Sequence, residues 1–281
     1  MARAKSNGVE LEYETFGDPK GETVLLINGL GSQMTRWPAE FCALLVAEGL
    51  RAIRFDNRDV GKSTWLADDA EYRVEDMAAD AMAVLDAAGV DKAHIVGMSM
   101  GGMIAQTVAS DFPARTLSLT SVMSNTGNPD LPPATPEAWA VISQPAPDPK
   151  DREAFLAHAV ENAVVIGSPD YPWPEGALRE RAIQELERAF NPAGVARQMG
   201  AIRASGDRRA KVRTITAPTV VLHGAVDPLV PVEGGRDTAA LIAGAELIEV
   251  PGMGHDMPPA LYPTFVRAIR RAIQRAHAPA Q

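Results

Sequence analysis

Residues 93–110, AHIVGMSMGGMIAQTVAS, carry no formal charge with His94 counted neutral, and few folds can accommodate them. A run of about 18 uncharged residues touches the length of a membrane-spanning helix. Gly97, Gly101 and Gly102, together with Ser99, Gln106 and Ser110, argue against that outcome. The front half is apolar and β-branched like a buried strand, whereas the back half is patterned as a helix that stops before Pro113. A strand must therefore turn directly into a helix. Such units belong to sheets with helices packed on their faces, in a soluble chain.

The same theme recurs along the sequence. Buried-strand patterns fall at 23–28 (TVLLIN), 51–56 (RAIRFD), 93–98, 117–124 (LSLTSVMS), 219–223 (TVVLH) and 246–250 (ELIEV). Near-continuous apolar runs fit strands covered on both faces of a parallel sheet. The segment VELEYETF at 9–16 alternates instead, which predicts an edge strand with one wet face. Between these runs lie helical patterns, among them Met77, Ala81, Val84, Leu85 and Ala88 before Gly89, and Tyr262, Phe265, Val266, Ile269 and Ile273 near the C-terminus. The expected architecture is α/β, a doubly wound and mostly parallel sheet.

One stretch breaks the rhythm. From 125 to 213 no buried strand is recognisable. Its proline-rich runs, NPDLPPATPEAW and QPAPDPKD, suit extended connectors, and helical patterns follow at 152–165, 177–190 and 193–204. Long structureless loops are rare in compact domains, so a helical cap at 126–213 is expected, inserted into a core made of 1–125 and 214–281.

Charge and cysteine content narrow the partners. With 27 basic and 36 acidic residues the formal net charge is −9, which disfavours nucleic acid and anionic membrane surfaces. A lone cysteine, Cys42, makes no intrachain disulfide and no cysteine-based zinc site, and no histidine pair or carboxylate cluster has metal-ligand spacing. The opening residues MARAKSNGVELEYE lack an apolar core for a secretory signal, so a cytoplasmic monomer or homodimer is expected.

The chemistry centres on Gly97-Met98-Ser99-Met100-Gly101, a G-x-S-x-G motif between a strand and a helix. A tight turn there needs glycines on either side of the central residue and lifts the Ser99 hydroxyl to the carboxyl edge of the sheet. A serine hydroxyl needs a base. Of the five histidines, His94 and His223 lie in strands, His158 in the helical insertion and His277 in the polar tail; His255 follows the last strand in PGMGHDMP. The carboxylate that orients an imidazole is assigned to Asp227, in HGAVDPLVP after its own strand, because Asp256 is the direct neighbour of His255. Backbone amides of Met100 and Leu30 are the expected oxyanion donors; the lesser alternative is that Gly29 and Gly31 around Leu30 serve only to make a turn.

Here the chain resembles the α/β-hydrolase superfamily, through NGLG, GMSMG, GAVDPLVP and GMGHDMP in that order. More narrowly, INGLGSQMTRWP, FDNRDVGKS and VGMSMGGMIAQ look like bacterial esterases related to aclacinomycin methylesterase. The resemblance implies cofactor-free hydrolysis of carboxylic esters, small-molecule substrates and the order Ser99, Asp227, His255. Many relatives carry histidine where this chain has Asn28, whose amide is expected to hold the loop by hydrogen bonding instead. Lactonase, thioesterase, perhydrolase, acyltransferase and C–C hydrolase chemistries share these groups, and a non-catalytic small-ligand receptor is the remote alternative. The run ending in GKS starts with Asp56 where a phosphate-binding loop has glycine; it reads as a structured loop with Arg58 paired to a carboxylate. Gly29 and the methionines Met34, Met98, Met123, Met253 and Met257, with Trp37, Trp139 and Trp173, are candidates to line an apolar substrate pocket; the methionines could instead fill gaps in the core.

Overall fold

A computed structural model describes residues 2–278; Met1 and residues 279–281, the ends of the expected core, lie outside it. Eight strands form one sheet: β1 (Ala2–Ser6), β2 (Val9–Phe16), β3 (Glu22–Ile27), β4 (Leu50–Phe55), β5 (Ala93–Met98), β6 (Thr116–Val122), β7 (Thr219–Gly224) and β8 (Glu246–Val250). Their spatial order is β1-β2-β4-β3-β5-β6-β7-β8. All pairings from β4 through β8 are parallel, while β1 and β2 run antiparallel at one side.

The helices are α1 (Ala39–Ala47), α2 (Val74–Ala87), α3 (Met100–Asp111), α4 (Pro136–Ser143), α5 (Arg152–Ile166), α6 (Ala177–Arg188), α7 (Pro192–Ser205), α8 (Arg209–Val212), α9 (Glu233–Leu241) and α10 (Tyr262–His277). Strand residues alternate between two cores, as a period of two requires. Leu25, Ile27, Ile53, Phe55 and Ile95 pack with α2 and α3 residues such as Met77, Leu85, Ile104 and Val108. Val24, Leu26, Ala52 and Val96 pack with Phe41 and Leu45 of α1 and Phe265 and Ile269 of α10. Helices thus cover both faces, the doubly wound arrangement expected from sequence. No helix among the described residues is long and apolar enough to cross a membrane.

Three details differ from the sequence reading. The segment Val9–Phe16 is not an edge strand, because β1 pairs with it from Ala2↔Tyr13 to Ser6↔Val9. The turn between them is Asn7-Gly8, both at positive φ (40° and 84°), a two-residue geometry whose twist matches paired strands. Secondly, the proline-rich connector is not wholly extended. Pro136 occupies the first turn of α4, where a missing N–H costs nothing, and Thr135 caps it by accepting from the Ala138 N–H at 3.2 Å. Finally, α8 and α9 had no clear helical period in the sequence; Val212 of α8 and Ile242 just past α9 seal the core on the α2–α3 face.

The topology creates a crevice. The chain leaves β3 for β4 on one side and β5 for β6 on the other, although β3 and β5 are neighbours. Loops from their carboxyl ends therefore diverge, and the gap is where ligands enter such sheets. Asn28–Gly31 and Ser99 flank that gap. Helices α4 to α8 lie between β6 and β7 in sequence and are tied back to this end of the sheet by buried charges. Arg188 of α6 reaches Glu12 (2.9 Å) and Asp56 (2.7 Å), and Arg197 of α7 binds Asp59 with two contacts of 2.7 and 2.9 Å.

Candidate active site

Ser99 sits at φ 56° and ψ −124°, a conformation that costs a non-glycine residue about 1–3 kcal/mol. Close packing enforces it. A methyl group on Gly97 would come within 1.9 Å of the Gly101 carbonyl oxygen, and one on Gly101 within 2.3 Å of the Ile27 oxygen. Only glycine at both positions lets β5 turn into α3 this tightly against β3. The Ser124 hydroxyl donates to the Ser99 carbonyl at 2.8 Å and pins the turn to the end of β6.

Three side chains from distant loops meet at the turn. Ser99 Oγ lies 3.0 Å from His255 Nε2, and His255 Nδ1 lies 2.7 Å from Asp227 Oδ2. An ionised carboxylate only accepts, so Nδ1 carries the proton and Nε2 is left to accept from the serine hydroxyl. Asp227 Oδ1 accepts from the backbone N–H groups of Leu229 and Val230 at 2.9 and 2.8 Å. Burial works against charge on Asp227, but His255 and His223 outweigh it and hold its pKa down to about 2. The carboxylate is therefore fully ionised at neutral pH.

His223, which the sequence marks only as the end of a strand, also belongs to the site. Its Nε2–H donates to the Val230 carbonyl at 2.8 Å and lies 3.5 Å from Asp227 Oδ2, bracing the acid loop from beneath. The available signal was its position four residues before Asp227 in HGAVD. Asp256, set aside as a partner for His255, points elsewhere: it accepts from the Ser168 hydroxyl and from Trp173 Nε1 at 2.8 Å.

The loop after β3 passes directly beside Ser99. A Cβ on Gly29 would stand 3.1 Å from Ser99 Cβ and 3.6 Å from its Oγ. Among the described residues, no acceptor takes the N–H of Leu30 or of Met100, so both amides are free to donate. Asn28 departs from expectation. Its carboxamide is fully buried with neither atom hydrogen-bonded among the described residues, so it does not hold the loop. That work falls to Asn57, which donates to the Asn28 carbonyl at 3.1 Å, and to Gln198, which accepts from the Gly31 N–H at 2.8 Å and donates to the Arg58 carbonyl at 2.8 Å. Arg58 itself forms the expected carboxylate pair, with two contacts to Asp80 of 2.6 and 2.8 Å.

Helices between β6 and β7 touch both loops. Val195 of α7 packs against Gly31, and the His255 N–H donates to the Ile166 carbonyl of α5 at 2.7 Å. The pocket candidates scatter. Met123, Met253, Met257 and Trp37 belong to the core on the α1–α10 face, Met98 packs at its margin, and Met34 is also fully buried. Trp173 binds Asp256, while Trp139 on α4 is half-exposed.

Comparison with known proteins gives a consistent picture. Residues 22–258 match the family model described as alpha/beta hydrolase fold. The chain is 32% identical to rhodomycin D methylesterase DnrP of Streptomyces peucetius, over 93% of this chain and 94% of that one. It is 26% identical to 3-oxoadipate enol-lactonase 1 of Acinetobacter baylyi, over 82% and 80% of the two chains. Among solved structures, an enol-lactonase from Burkholderia xenovorans LB400 superposes with a TM-score of 0.77 at 23% identity, covering 97% of this chain and all of that one, a likeness of fold.

Proposed function

The chain belongs to the α/β-hydrolase fold family, and on that premise we propose that it is a serine hydrolase of carboxylic esters acting through an acyl-enzyme. The observation that carries this reading is the unbroken relay from Ser99 Oγ through His255 to Asp227, at 3.0 and 2.7 Å.

In the first half-reaction Ser99 Oγ attacks the ester carbonyl carbon as its proton passes to His255 Nε2. Charge developing on the carbonyl oxygen is met by the N–H groups of Leu30 and Met100, each such donor contributing about 3–4 kcal/mol to the transition state. The amino end of α3 adds its dipole there. Asp227 stabilises the imidazolium without taking its proton. As the intermediate collapses, His255 returns the proton to the departing alcohol and the acyl group stays on Ser99. Water then attacks the acyl carbon, giving one proton to His255; the acid leaves, and Ser99 recovers its proton. No step requires a metal or an organic cofactor.

Residues 126–213 act in this reading as a cap over the site, because α5 and α7 contact the histidine and oxyanion loops. The substrate is a small to medium, mainly apolar ester. A lactone is a cyclic ester served by the same groups, and the similarity to enol-lactonases favours it as the second reading. We place the enzyme in the cytoplasm as a monomer or homodimer, a location with which a buried free thiol at Cys42 is compatible.

A panel of p-nitrophenyl esters, methyl esters and lactones, run on parent and Ser99→Ala chains, tests the proposal. Hydrolysis by the parent should fall about 10⁶-fold in the variant, as loss of such a nucleophile does elsewhere. Equal rates in the two chains would refute it.

A further inference from the structure

A second cluster of reactive side chains lies at the opposite, amino edge of the sheet. Glu22 opens β3, His94 is the second residue of β5, and His277 ends α10. Glu22 Oε1 lies 2.9 Å from His94 Nε2 and 2.8 Å from His277 Nε2, and the three donor atoms lie within 4.8 Å of one another. Sequence spacing could not reveal this group, since 255 positions separate Glu22 from His277.

His94 shows what the cluster is suited to hold. Its side chain is only 1% exposed, and Nδ1 is engaged by Ser118 Oγ at 2.8 Å. In the tautomer whose Nδ1–H donates to Ser118, Nε2 is left free to coordinate an ion beside Glu22. Nε2 faces Glu22 Oε1 at 2.9 Å, at an angle that does not make a well-aligned hydrogen bond. What sets the cluster apart from a simple imidazole–carboxylate pair is that a second imidazole, from His277, converges on the same carboxylate, bringing three ligand atoms together. Among the described residues no lysine or arginine pairs with Glu22; its partners at ion-pair distance are the two imidazoles.

We propose that Glu22, His94 and His277 form a binding site for a borderline-soft divalent cation of the Zn²⁺ class, separate from the hydrolytic centre. Two imidazoles and one carboxylate are the usual first ligands for such an ion, with a solvent molecule completing a tetrahedron. Bonds of about 2.0–2.1 Å would set donors roughly 3.3 Å apart, a spacing reached here by small side-chain shifts. Ser118 fixes the ring of His94 as outer partners of metal-bound histidines do. Glu22 also lines an open cleft with Thr23, Arg51, Asp91 and Lys92, which gives an ion access from solvent. His94 is near the start of β5 and Ser99 lies just past its end, five residues on, so the site is roughly 16 Å from Ser99. Its effect is to clamp the end of α10 to the sheet, not to alter the hydrolytic reaction.

The test uses tag-free full-length protein stripped with chelator, then titrated with ZnCl₂ by calorimetry and with CoCl₂ by visible absorption. The expected result is one saturable ion per chain, intense tetrahedral Co²⁺ bands, and a Tm that rises with Zn²⁺. His277→Ala and Glu22→Gln should each weaken binding by roughly a hundredfold or more and abolish the Tm rise, and Ser118→Ala should weaken it about tenfold. His158→Ala, on α5 and away from the cluster, should bind like the parent. His277 is exposed at a helix end, so its loss tests the site even where His94→Ala fails to fold. Absence of a saturable ion, or equal binding in the parent, His277→Ala and Glu22→Gln chains, would overturn the proposal.

Discussion

Single side chains at this site differ in what burial does to them. Asp227 and Asp256 are both shielded from water, yet their proton affinities move in opposite directions. Histidines around Asp227 favour its charge and hold it near 2. Burial raises the pKa of Asp256, and hydrogen bonds from Ser168 and Trp173 only partly offset that effect. An unfolded aspartate loses its proton near about 3.9, whereas folded Asp256 keeps its own to higher pH. Stability is therefore lost as pH rises through that interval, and the deficit persists at neutral pH. Asp256→Asn removes the charge, and its amide can still accept from Trp173 and donate to Ser168. Thermal melts should show the variant above the parent at pH 7, with the gap closing below about pH 4. A gap of equal size at both pH values would contradict this assignment.

Elements set the geometry that individual groups exploit. The elbow exists because β5, α3 and β3 approach so closely that Gly97 and Gly101 have no substitutes. The loop after β3 depends on an element far away in sequence: Gln198 of α7 holds both the Gly31 N–H and the Arg58 carbonyl, and is itself fully buried. Gln198→Leu leaves both backbone groups unpaired and frees the Leu30 amide to drift. Misplacement by about 1 Å can cost 10²-fold in rate, so kcat should fall by roughly that factor with KM little changed. An unaltered kcat would show that the loop is held without Gln198.

This contrast explains what is legible in the sequence. Ser99, Asp227 and His255 stand out because each follows an apolar strand pattern within a glycine- or proline-marked loop, a local signal, although β8 before His255 proves to be the half-buried edge strand of the sheet and not a buried one. Val9–Phe16 was recognisable as a strand, but its true neighbour β1 was not, since ARAKS has no apolar period and only the Asn7-Gly8 turn announced the hairpin. Gln198, His223 and Asn57 carry no pattern of their own. Their value comes from partners that only folding brings near, and the failure of Asn28 to replace a histidine's hydrogen bonding follows from the same dependence on packing.

At the scale of the whole molecule, buried ion pairs join the α4–α8 segment to the sheet. Arg188 faces Glu12 and Asp56, whose side chains are 6% and 0% exposed. Such pairs add little net stability when intact, but removing one partner leaves buried charge uncompensated, at a cost of about 3–5 kcal/mol. Urea denaturation of Arg188→Met should show a loss in that range; a change below about 1 kcal/mol would mean the segment is held mainly by apolar packing. A well-anchored segment also keeps α5 and α7 against the two loops beside Ser99, so the same variant should hydrolyse esters more slowly.

An alcohol made nucleophilic by a relay should be the chain's most reactive hydroxyl. Intact-mass analysis after exposure to an organophosphate measures this directly, with peptide mapping to locate the adduct. A single phosphoryl adduct on Ser99, absent from Ser99→Ala and much slower to form in His255→Ala, is the expected result. No adduct, an adduct on another residue, or equal labelling of the Ser99→Ala chain would contradict it.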